Sequence, residues 1–169
     1  MSTSRTQIDP RGPRFTAAVT LVVLAPALLT APSRVGIGLL VVQLAFFALG
    51  ATRGVQHTPT AYVFRRLVRP RLSAPAHLED PEPPRFAQAV GLVFSVVALA
   101  GYLAGAPAVG AVAIGFALAA ALLNAVFGFC LGCEMYLLLR RALPGRWARS
   151  TAHTRSDATV TNTKEEVTA

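Results

Sequence analysis

The sequence predicts an all-α membrane protein: four transmembrane helices as two parallel-repeated helical hairpins, each followed by a short cytoplasmic interfacial helix. Three observations predict it. Hydrophobic residues make up 53% of the 169 positions and charged residues only 14%, whereas about a quarter of a soluble domain is charged. The apolar residues come in long blocks rather than in alternation, as spans do. Arginines gather just outside those blocks, where topology signals lie. The formal net charge of +8 therefore reads as a membrane-orientation signal. No stacking-rich basic face accompanies it, so nucleic acid is not an expected partner.

By length the chain is one domain. Its expected organisation is a polar lead over 1–13, disordered or lying on the headgroups, a four-span membrane domain over 14–145 and a disordered tail over 146–169. Met1–Arg14 is polar and no small-residue cleavage pattern follows, so the first apolar block is expected to stay in the protein. Pro13 suits a first helical turn, and Arg14 is placed to reach lipid phosphates while Phe15 enters the acyl layer.

Phe15–Ala31 is the first expected span, with Pro26 inside it as a kink that a bilayer tolerates when neighbours supply hydrogen bonds. Ala31–Arg34 is a tight turn, and Val35–Ala51 the second span. The long polar loop Thr52–Pro84 contains a short interfacial helix, Thr60–Val68, with Tyr62, Phe64 and Leu67 beside an arginine face. The tract His77–Pro84 reads as an extended connector, because its prolines interrupt regular helix. Phe86–Ala104 is the third span, Gly105–Pro107 a second tight turn, and Val109–Phe129 the fourth span.

Basic residues cluster before the first span, in the central loop and after the fourth span. Arg34 is the single one in the two short turns. By the positive-inside bias both termini and the central loop face the cytoplasm.

The chain also matches itself. Pro13-Arg14-Phe15 recurs as Pro84-Arg85-Phe86, Ala31-Pro32 as Ala106-Pro107, Gly54 as Gly128 and Tyr62 as Tyr136. Shared landmarks in one order point to a parallel duplication, repeat one over 13–70 and repeat two over 84–144. In that alignment Cys130 falls opposite Gln56 and Cys133 opposite Pro59, so only the second copy carries thiols.

Phe127–Arg141 (FGFCLGCEMYLLLRR) is the chemically distinctive stretch. Cys130 and Cys133 are the only cysteines, flanked by Gly128 and Gly132 and followed by Glu134. Thiols three residues apart on a helical turn lie on one side and can close a small disulfide ring. If the fourth span breaks near Gly128, Cys130 sits at the start of a new helix, where unpaired N–H groups favour a thiolate. Cys130 is then the attacking sulfur and Cys133 the resolving one. Glu134 opposes the thiolate electrostatically, yet it can accept the proton of the second thiol. In a reducing cytoplasm the pair is expected to rest as a dithiol.

Other readings stand beside this one. Cysteines in an apolar helix also serve as small packing residues. A zinc site needs four ligands, which His57, His77 or Glu134 would have to complete, and a homo-oligomer would pool two pairs. Asn124 and Gln43 lie within spans and are suspects on that ground, or simple interhelical hydrogen-bond partners. The small residues of the fourth span suit close helix packing, and Tyr136 and Trp147 read as interface anchors. No phosphate-binding loop, Ser/His/Asp grouping or paired catalytic carboxylates are present, so no cofactor is expected.

The segments IDPRGPRF (Ile8–Phe15) and GFCLGCEMYLLLRR (Gly128–Arg141), with the second PRF, resemble the small bacterial membrane family termed domain of unknown function 4395. The resemblance covers Ile8–Arg141 and carries over Cys130 and Cys133. It implies a place in the bacterial inner (cytoplasmic) membrane. It also implies a thioredoxin-like or rhodanese-like (sulfurtransferase) partner, since such proteins are often encoded beside members of the family. Thiol-disulfide exchange or sulfur relay is the expectation. The alternatives are an accessory scaffold subunit with packing cysteines and a small oligomeric transporter of a sulfur compound.

Overall fold

The computed structural model describes residues 7–75 and 77–142. The expected tail, with Arg146, Trp147 and Arg149, lies outside them. The described chain is helical throughout apart from turns and one isolated bridge. It divides into two compact units, Met1–Glu134 and Met135–Ala169.

In the first unit four long helices surround one core: α1 (Arg11–Thr30), α2 (Arg34–Arg53), α4 (Glu82–Leu103) and α5 (Pro107–Leu122). A wide π turn, Leu123–Phe127, prolongs α5. The spans so formed are 20, 20, 22 and 21 residues long, and at about 1.5 Å per residue each crosses roughly 30 Å of hydrocarbon. All four are long and apolar enough to cross a membrane, which makes this a multi-pass membrane protein by length and composition.

The helices form a ring in which α1 packs on α2 and α5, and α4 packs on α2 and α5. Leu24, Leu40, Ala98 and Ile114, one from each helix, fill its centre. Val22, Leu29, Val93, Val112 and Phe116 point outward, an arrangement that suits lipid. Small residues set the approach of α4 to α5: a β-carbon on Gly110 would lie 2.7 Å from the Tyr102 ring. Gly115, expected to serve the same packing, has open space beside it. Gln43 donates to Thr20 Oγ1 at 3.2 Å between α2 and α1, so it is an interhelical partner.

Two expectations about the connections change. The His77–Pro84 tract is not extended to its end, because α4 already begins at Glu82 with Pro83 and Pro84 in its first turn, where a missing N–H costs little. The polar lead is not free either. Ile8 and Glu79 exchange two backbone hydrogen bonds of 2.9 Å, and Arg11 Nη1 reaches Ser73 O at 3.0 Å.

The segment expected to be helical over Thr60–Val68 is present as α3 (Pro59–Val63), continued by a wide turn over Phe64–Val68 and a 3-10 turn, Arg69–Arg71. Arg66 lies over the exposed Tyr62 ring at 5.3 Å, while Phe64 turns inward against Phe15 at 5.7 Å. A sixth helix, α6 (Leu131–Ala142), follows the fourth span. Its residues through Glu134 belong to the first unit.

Candidate functional site

The fourth span ends at Phe127 because Gly128 adopts the left-handed region, φ 71°, which glycine enters without a β-carbon penalty. Its N–H donates to Asn124 O at 3.0 Å. Two residues later Cys130 starts α6. Its carbonyl accepts the Glu134 N–H at 3.0 Å, and its Sγ accepts the Cys133 N–H at 3.4 Å. A side chain that takes the third helical N–H is an N-cap, a position that Ser, Thr, Asp and Asn usually fill. Here a sulfur does so, and the helix start expected at Cys130 is present.

Gly132 is the reason this turn can sit where it does. A β-carbon there would lie 2.6 Å from both the Cα and the Cβ of Ala87 on α4, closer than any side chain tolerates. On the α1 side, Arg14 Nη2 donates to Val126 O at 3.2 Å, and its guanidinium borders Gly128. The second PRF arginine does the same at the other span end: Arg85 donates to Ala51 O at 2.8 Å and to Thr52 O at 3.0 Å. Arg14 is thus engaged by protein rather than reserved for lipid phosphate. The last carbonyls of a helix lack intrahelical donors, and a cation there offsets the negative dipole end.

Cys130 and Cys133 are joined as a disulfide, with their Cα atoms 5.2 Å apart. The expected resting state was a dithiol. The separation lies within the usual disulfide range, so one backbone serves either state and the surrounding redox poise selects between them. Both residues are half-buried, between a buried Gly132 and an exposed Glu134. Glu134 makes no side-chain hydrogen bond or ion pair among the described residues.

The zinc alternative finds no third ligand: among the described residues no three His, Cys, Asp or Glu side chains converge. His57 Nδ1 lies 2.8 Å from Arg53 O, and His77 Nε2 lies 3.4 Å from Glu79 Oε1.

The helix caps pair the two segments in a different register from the letter match. After Gly54 the next helix is capped by Thr58, whose Oγ1 accepts from Ala61 N at 3.2 Å and whose carbonyl accepts from Tyr62 N at 3.1 Å. Counted from the caps, Cys130 lies opposite Thr58 rather than Gln56, and Cys133 opposite Ala61 rather than Pro59. Thr60 then matches Gly132: Thr60 meets Thr16 of α1 at 3.1 Å, as Gly132 meets Ala87 of α4. Phe64 matches Tyr136, and both are buried, whereas Tyr62 is 53% exposed. The slip arises because a 3-10 turn, Val55–His57, separates Gly54 from its cap, whereas Gly128 is followed almost directly by Cys130.

Sequence reasoning singled out Cys130, Cys133 and Glu134 but did not show what their turn packs against. The repeated PRF was a signal for Arg14 and Arg85. Nothing in the sequence marked Ala87. No match was found among the curated proteins or the solved structures. A family model, domain of unknown function 4395, matches residues 8–141, spanning the four helices, both PRF arginines and the sulfur pair, and the chain belongs to that family.

Proposed function

We propose that this protein is a bacterial inner-membrane dithiol carrier with both termini and the Cys130–Cys133 pair at the cytoplasmic face. The partner in this reading is a soluble thioredoxin-like or rhodanese-like protein. The orientation rests on the arginine distribution. The chemistry rests on one observation: the two sulfurs are bonded across a single helical turn whose cap is Cys130.

In the exchange, the Cys130 thiolate attacks a partner disulfide and expels one partner thiolate, giving a mixed disulfide. The Cys133 thiol loses its proton to Glu134 and attacks Cys130 Sγ, expelling the second partner thiolate. Two electrons and two protons pass to the partner, and the Cys130–Cys133 disulfide remains; the reverse sequence restores the dithiol. The half-buried position of both cysteines supports exchange over the packing alternative, since buried structural thiols are inert.

The test is trapping in native membranes. Cys133→Ser removes the resolving sulfur and should accumulate a mixed disulfide that Cys130→Ser does not form. The reading fails if both thiols of reduced protein resist alkylation until denaturation, or if impermeant labelling maps residues 130–133 to the periplasm. Glu134→Gln should slow resolution without preventing the first attack.

A further inference from the structure

We propose that the first half of the bundle contains a separate binding site for a small anion, a phosphate or carboxylate carried on an apolar body. A cavity of about 430 Å³ opens where the starts of α1 and α4, α3 and the Val55–His57 turn meet. That volume is in the range of small-molecule sites.

Its walls divide by chemistry. Phe64, Val55 and Ile8 are apolar lining residues, and Arg65 and Arg69, one helical turn apart, are its two cationic ones. Neither arginine makes an ion pair or hydrogen bond among the described residues, although Arg66 between them is placed over Tyr62. Among the described residues one carboxylate borders the cavity, Asp9, and its Oδ1 already accepts the Arg11 N–H at 2.9 Å. The lining therefore keeps an excess of positive charge. His57 also borders the cavity, with Nδ1 committed to the Arg53 carbonyl at 2.8 Å and only Nε2 left for a ligand. Gln56 also borders the cavity and holds a buried Oε1 without a hydrogen-bond partner. The site thus offers two unpaired cations for an anionic head and the unpartnered Gln56 oxygen for a ligand hydroxyl.

The extra turn before Thr58 supplies three lining residues of the cavity in this half, Val55, Gln56 and His57. The other half, which goes almost directly from Gly128 to Cys130, spends the equivalent position on the sulfurs. The two features meet across α4: Gln88 borders the cavity, and its neighbour Ala87 touches Gly132.

The experiment uses full-length protein in zwitterionic nanodiscs, with hexyl phosphate as the soluble probe and phosphatidylglycerol as the lipid probe. Calorimetry reads the first, and native mass spectrometry reads retention of the second. Arg65→Gln with Arg69→Gln should weaken the bound probe by about tenfold or more, through loss of two charge-assisted contacts. Arg66→Gln with Arg71→Gln removes the same charge outside the cavity and should change little. Ala61→Leu, which fills the lining, should also weaken binding.

Saturable hexyl phosphate binding with this pattern identifies a free organic anion. Retention of phosphatidylglycerol alone, with the same pattern, identifies a lipid headgroup. Binding of neither probe, or equal loss in both arginine pairs, overturns the proposal. The sulfurs take no part in the measurement, so its failure leaves the dithiol reading standing.

Discussion

Gly132→Ala is the sharpest test of how the sulfur turn is held. The added methyl would lie 2.6 Å from two Ala87 atoms, one of them backbone, so no rotamer change relieves it. Overpacking of this kind costs about 1–3 kcal/mol. Replacing a helical glycine by alanine also returns up to about 1 kcal/mol of helix propensity, so one variant alone is ambiguous. Gly115→Ala separates the terms, since Gly115 has nothing within 4 Å of its β-carbon direction and should gain the propensity without the clash. The two variants should therefore differ by about 2 kcal/mol, or about 30-fold in the unfolding equilibrium. Reversible unfolding in mixed micelles, followed by circular dichroism, measures this. Ala87→Gly should recover part of the loss in a double-mutant cycle, because it removes the clash with the Ala87 methyl and leaves the one with its backbone. If Gly132→Ala is as stable as Gly115→Ala, or the cycle is additive, the start of α6 does not rest on α4 as described.

The remaining predictions follow from single contacts. Arg85→Gln should cost about 1 kcal/mol and Arg14→Gln less, because Arg85 holds two carbonyls and Arg14 one; faster amide exchange at the ends of α2 and α5 is the readout. Thr20→Val should destabilise by about 1 kcal/mol, since it strips the acceptor from the Gln43 amide. Gln43→Leu should be close to neutral, because it also removes a buried Oε1 that has no partner. In reduced protein, Cys130→Ser should keep the α6 cap and Cys130→Ala should lose about 1 kcal/mol, visible as a lower unfolding midpoint in dithiothreitol. Equal midpoints for these two variants would mean that the sulfur does not cap the helix.

Segregated apolar blocks determined the four helices by themselves, because no soluble arrangement buries so much apolar surface with so few charges. The break at Gly128 and the cap at Cys130 were also local matters. A glycine that accepts left-handed backbone, followed by a residue able to take an N–H, ends one helix and starts the next within a few positions. Tertiary structure decided the rest, because the deciding contacts join residues far apart in the chain. Arg14 reaches Val126, Arg85 reaches Ala51 and Thr52, and Gly132 meets Ala87; composition cannot say which carbonyl an arginine serves or which glycine faces a neighbour. Gly115 and Gly132 look alike on the page, and only the packing of the helices leaves one beside open space and presses the other against α4. A comparison of the two halves also turns on contacts, because letters match at Gly54 and Gly128 whereas the capping hydrogen bonds pair Thr58 with Cys130.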